Sequence, residues 1–134
     1  GTAVNLPPLG GAVEHDPDTL IAAAAKGAPF FAYRFFPLPP GLAFSQARWV
    51  PPGPGVSPVG HLRIEYTGIG RDSVMLETVT ADAARAWLED QRRGDPAAGS
   101  IIERGNTLIL IRLVRRPPTD LAPLTVLLSP LPRR

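Results

Sequence analysis

The segment from Pro29 to Trp49, PFFAYRFFPLPPGLAFSQARW, constrains the fold of this chain more than any other stretch. Four of the five phenylalanines and one of the two tyrosines fall between Phe30 and Phe36, and the turn Leu38-Pro39-Pro40-Gly41 follows at once. Aromatic side chains at this density favour a strand, and Pro37 closes it because proline cannot donate to a ladder. Alternation puts Phe30, Ala32, Arg34 and Phe36 on one side and Phe31, Tyr33 and Phe35 on the other. Two destinations are open for the rings: both faces buried in the core, or one left uncovered as an apolar surface. On the second reading the surface consists of Phe31, Tyr33 and Phe35, extended by Leu42 and Phe44 of the next strand. It suits a protein or peptide partner, or an apolar ligand such as a lipid.

The rest of the chain supplies the framework. Residues 1–14, with Pro7-Pro8 and Gly10-Gly11, predict an extended arm, and residues 15–134 a single domain. A helix starts at Asp16-Pro17-Asp18, where Asp16 caps the free amides, Pro17 suits the first helical position and Asp18 complements the dipole. Leu20, Ile21 and Ala24 share its inner face, and Gly27 ends it. Leu42 to Val50 is a second strand with Leu42, Phe44 and Gln46 on one side, followed by the loop Pro51–Pro58. In His61–Thr67 the apolar Leu62, Ile64 and Tyr66 alternate with His61, Arg63, Glu65 and Thr67, the pattern of a strand with one wet face. Ser73–Val79 follows after Gly68-Ile69-Gly70-Arg71-Asp72. Thr80 caps a helix to Arg93 whose apolar stripe is Ala83, Ala84, Trp87 and Leu88. Ser100–Glu103 and Thr107–Val114 form a hairpin across Arg104-Gly105-Asn106. Leu108 to Leu113 is apolar on both faces apart from Arg112, which predicts a central strand. A closing helix capped at Thr119 or Asp120, with Leu121, Leu124 and Leu128 inward, ends at Pro130.

This order predicts an α+β fold: a single, mostly antiparallel sheet of about six strands, covered chiefly on one face by N-terminal, middle and C-terminal helices. The chain has 134 residues, 44% of them apolar and 19% charged, as in ordinary globular domains. No run approaches the roughly 20 apolar residues of a membrane helix. The Gly1-Thr2 start predicts a processed product, with any anchor or signal upstream of it.

The helix, the aromatic strand, the proline turn and the strand spacing together resemble a bacterial extracytoplasmic domain of unknown function. That domain occurs in membrane-anchored lipoproteins and anti-sigma-factor-like proteins. The resemblance rests on Ala28-Pro29-Phe30, Pro37, Leu38-Pro39-Pro40-Gly41, Ile64-Glu65-Tyr66, the Gly105-Asn106-Thr107-Leu108-Ile109-Leu110 segment and the stretch from Asp120 to Ser129. It spans residues 17–131 and is carried by turn and core positions. It implies a sensor or interaction domain outside the cytoplasm, tethered to a membrane through a segment not in this chain. It brings no catalytic residues with it.

The residues themselves offer little chemistry. With no cysteine, disulfides, thiolate metal sites and cysteine nucleophiles are excluded. Glu14-His15-Asp16-Pro17-Asp18 is the one acid–imidazole cluster, but Asp16 and Asp18 are wanted at the helix start, so no metal or cofactor is expected. His61 is read as a solvated or ion-paired strand histidine. Ser45, Ser57, Ser73, Ser100 and Ser129 all lack the Gly-x-Ser-x-Gly elbow of a nucleophile. Glu65 and Glu77 stand where Arg63 and Arg112 pair them across strands, which leaves Glu65, Glu77, Asp72 and Glu103 as sheet-surface charges and no glycosidase pair. Thirteen of fourteen basic residues are Arg, yet twelve acids leave a net charge of only +2. The doublets Arg92-Arg93, Arg115-Arg116 and Arg133-Arg134 therefore predict no nucleic-acid surface. The expectation is a non-enzymatic sensor or interaction domain, with a carrier of lipid or another apolar ligand on a curved sheet as the alternative.

Overall fold

The first described residue, Asp16, begins the fold as a helix cap: its carboxylate accepts the Thr19 amide at 2.8 Å. Helix α1 (Pro17–Ala24) follows, with Pro17 in its first turn and Ile21 buried. Gly27, at φ +82°, turns the chain out, a backbone region that glycine enters without a Cβ penalty. The computed structural model describes residues 16–55, 57–68, 73–95, 98–114 and 122–132. The expected arm at 1–14 lies outside them, as do Glu14, His15, Ile69 to Asp72, Arg115 to Leu121, Arg133 and Arg134.

The strands are β1 (Tyr33–Phe35), β2 (Leu42–Val50), β3 (His61–Gly68), β4 (Ser73–Thr80), β5 (Ala98–Arg104), β6 (Thr107–Val114) and β7 (Leu128–Pro130). Helix α2 (Ala81–Arg93) connects β4 to β5, and α3 (Ala122–Thr125) is a single turn before β7. The α+β class and antiparallel pairing agree with the sequence pattern, whereas the single six-stranded sheet does not. The described residues form two sheets, one of five strands in the order β2-β3-β4-β6-β5 and a ribbon of β1 with β7.

The ribbon replaces the expected C-terminal helix. Tyr33, Arg34 and Phe35 lie opposite Pro130, Ser129 and Leu128. Its ends are fastened by Phe36 N–H to the Leu127 carbonyl (2.9 Å) and Leu131 N–H to the Ala32 carbonyl (3.0 Å). A three-residue β1 needs a partner for its backbone groups. The Leu124–Leu128 spacing fits one helical turn running into a strand as well as it fits a longer helix, so tertiary demand decides.

Both faces of the five-stranded sheet are covered, a second departure from the one-sided prediction. On the first face Leu62, Ile64, Tyr66, Val74, Ile109, Ile111 and Leu113 pack with Ile21 of α1 and with Phe35 and Leu128 of the ribbon. On the second, Leu108 and Leu110 pack beneath Ala84 and Leu88 of α2. Successive residues of β6 therefore enter two cores, as its apolar run predicts for a central strand. Each fully buried Leu or Ile contributes about 1.5–3 kcal/mol.

Strand β2 holds an irregularity between Phe44 and Gln46, where the register against β3 slips by one residue. A bulge of this kind re-phases the side chains. Leu42 and Phe44 face the first core before it, and Ala47 and Trp49 after it. Gln46, expected beside Phe44, instead meets Glu65 on the outer face, its Nε2 donating to Oε1 at 2.9 Å.

Candidate functional site

The aromatic segment divides between two surface grooves instead of presenting one face. The first, of about 330 Å³, lies where α1, the end of β1 and β2 meet; Phe35, Phe36, Pro37, Leu38 and Phe44 line it, with Asp16, Asp18, Arg34 and Tyr66. The second, of about 410 Å³, runs between the approach to β1 and the β5–β6 turn, lined by Phe30, Phe31 and Tyr33 with Arg104, Asn106 and Thr107. Of the expected surface, Phe35 and Phe44 thus belong to the first groove and Phe31 and Tyr33 to the second. Leu42 is half-buried against the first core. The alternation expected over Phe30–Phe36 fails because only Tyr33–Phe35 is strand. Consecutive Arg34 and Phe35 are both buried, and Phe36 is 62% exposed.

Arg34 is the least expected member of this region. A cation between aromatic residues was the available signal, and the fold buries it to 5% exposure. Its Nε donates to Asp18 Oδ1 at 2.8 Å and its Nη2 to Oδ2 at 3.0 Å, a bidentate pair. Its Nη1 donates to the carbonyls of Pro130 (3.0 Å) and Ser129 (3.4 Å). One guanidinium therefore ties α1, β1 and β7 together. Phe36 lies over it with the ring centroid 4.8 Å from Cζ, a cation–π contact that covers the charge from the groove side.

Tyr66 forms the groove floor from the other sheet. Its hydroxyl accepts the Phe35 amide at 3.2 Å, and its ring lies 5.0 Å from Phe35 and 6.1 Å from Phe44, centroid to centroid. Burial raises its phenol pKa from 10.0 to about 12, with the Phe35 hydrogen bond and the Arg34 charge pulling the other way. The neutral hydroxyl persists through the physiological range.

The sequence-predicted chemical candidates take structural positions. Asp16 caps α1 and Asp18 holds Arg34; among the described residues no three His, Asp or Glu converge for a metal. Of the two readings of His61, solvated or ion-paired, burial excludes the solvated one, because Trp87 of α2 covers its end of the second face at 4.9 Å between ring centroids. Ser57 Oγ approaches His61 Nδ1 at 3.4 Å, but its proton goes to the Val59 carbonyl at 2.5 Å, which makes it a loop staple and not an activated nucleophile. A shallow hollow of about 600 Å³ beside them is walled by Pro52, Pro54, Pro58 and Trp87, without an ionisable group.

Of the residues expected to pair across strands, Arg63 stands opposite Glu77 in the register of β3 and β4, and Glu65 accepts from Gln46. Arg112 Nε instead donates to Asp95 at 2.8 Å. Glu103 pairs with Arg85 at 2.8 Å. Arg92 and Arg93 pair with Glu89 and Asp90 on their own helix. Arg115, Arg116, Arg133, Arg134, Asp72, Glu14 and His15 lie outside the described residues. Among the described residues no helix is long and apolar enough to cross a membrane. Comparison with protein-family models, with curated proteins and with solved structures finds no match to this chain.

Proposed function

We propose that this chain is a non-enzymatic interaction or sensor domain that receives a protein or peptide partner in the groove of Phe36, Leu38 and Phe44. One observation carries the reading: Phe36 and Leu38 are 62% and 42% exposed on the wall of an apolar groove. Large apolar side chains grouped at a concave surface mark binding sites. Arg34 and Tyr66 hold that wall from behind, so the rings are presented in a fixed arrangement and little ordering is required on binding. The resemblance of the Pro37–Gly41 turn and the Ile64-Glu65-Tyr66 strand supports an extracytoplasmic setting in a bacterial membrane-tethered protein.

The alternative, a lipid cupped by the sheet beneath its helices, meets filled space. Ile21, Phe35 and Leu128 occupy the first face, and Ala84 and Leu88 the second. An apolar ligand is left with the surface grooves.

A photo-crosslinking side chain at Phe36, in the parent protein within its native membranes, tests the partner reading. Discrete protein adducts at Phe36 and Leu38 are expected, with none from Arg48 on the exposed outer side of β2. Equal labelling from all three positions, or none, overturns it. So does robust turnover of an ester, glycoside or phosphate panel that is lost on changing one acidic residue or His61.

A further inference from the structure

We infer that the second groove binds a small single-chain carboxylate, its tail against Phe30 and Phe31 and its head on Arg104. The groove has a volume of about 410 Å³, within the roughly 300–1,000 Å³ range of small-molecule sites. One wall is aromatic, and Phe31 is 59% exposed. The opposite wall is Arg104, the two-residue turn after it and Thr107, so Arg104 is the one charged residue among the described residues that line the groove.

The charge on Arg104 is what selects the ligand. Arg34, Arg85, Arg92, Arg93 and Arg112 each hold a carboxylate. The acid beside Arg104 in sequence, Glu103, is taken by Arg85. Arg104 donates to the Glu103 carbonyl at 3.2 Å and makes no ion pair among the described residues. A positive fork at the mouth of an aromatic groove complements an anion with an apolar body, and the planar guanidinium matches a carboxylate in two parallel hydrogen bonds. Because the head group remains near water, the charge contributes modestly and the rings supply most of the affinity. This groove shares no residue with the Phe36 groove, so the two proposals fail separately.

Amide-resolved NMR titration of the full chain with decanoate, decanol and an N-acetyl-Phe-Asp amide tests the assignment at neutral pH. Saturable shifts at Gly105 and Asn106 are expected, with decanoate about two- to fivefold tighter than decanol. Arg104→Gln should bring decanoate down to decanol, and Phe31→Ala should weaken both alike; both positions are exposed, so folding is not at stake. Equal binding of acid and alcohol, a preference that survives Arg104→Gln, absent decanoate binding, or tighter binding of the peptide would each overturn the proposal.

Discussion

The two coverings of the five-stranded sheet are built on opposite rules. Under α2 the charged side chains stay outside: Ala84 and Leu88 point inward onto Leu108 and Leu110, the polar ring enclosed there is His61 beneath Trp87, and Arg85, Arg92 and Arg93 form ion pairs at the surface. Under α1 and the β1–β7 ribbon the sorting is partly inverted. Arg34 is buried, while Phe31, Phe36 and Leu38 are exposed. A face assembled only for stability has no reason to invert polarity, since a buried charge costs free energy unless fully paired and exposed rings forgo burial. Where local rules are broken and the breach is structurally supported, function is the usual cause. The inverted side is the one that carries both aromatic grooves.

The contrast can be broken first where the inverted side is still core. Phe35→Ala should cost about 3–5 kcal/mol, and Leu110→Ala beneath α2 about 2–5 kcal/mol, by urea denaturation. A small loss at Phe35 would mean that the ribbon is not part of the core. Next comes the buried charge. Removing one partner of a buried pair costs about 3–5 kcal/mol, and Asp18, whose side chain is 35% exposed, places Arg34→Ala nearer about 2–4 kcal/mol. Arg85→Ala, at an exposed pair on the other side, should fall below about 1 kcal/mol.

Tyr66 sharpens the comparison through pH. Its pKa is raised in the folded chain, to about 12 from 10.0, so above pH 10 the unfolded state loses its proton first. Stability from this group is therefore intact below pH 10 and falls as pH rises toward 12, by about 2–3 kcal/mol. Tyr66→Phe should remove that alkaline slope and cost about 1 kcal/mol at neutral pH through the lost hydrogen bond to Phe35. An unchanged slope in the variant would place the titration elsewhere.

Regular parts of the fold were legible in the sequence because their signals are local. The bounds of β2 and β6, the N-cap of α1 and the two-faced burial of β6 follow from turn residues and periodicity. The ribbon was not legible: β1 and β7 pair from opposite ends of the described chain, and no local pattern distinguishes Leu128 on a helix from Leu128 on a strand. The burial of His61 was not legible, because alternation reports the face of a strand and not what covers that face. The bulge in β2 left a trace, since the apolar positions run Leu42, Phe44, then Ala47, Trp49, a break in the period of two. The exposed apolar side chains at the first groove are Phe36 and Leu38, neither of them in the expected surface. Strict alternation had assigned Phe36 to the other side.

On the proposal above, the exposed apolar residues of the inverted side serve binding and not folding. The unfolding free energy of the double variant Phe36→Ser/Leu38→Ser tests this most directly. Residues that fold does not need should leave it within about 0.5 kcal/mol of the parent. A loss of about 2 kcal/mol or more would make both side chains part of the core and would remove the groove as a binding site.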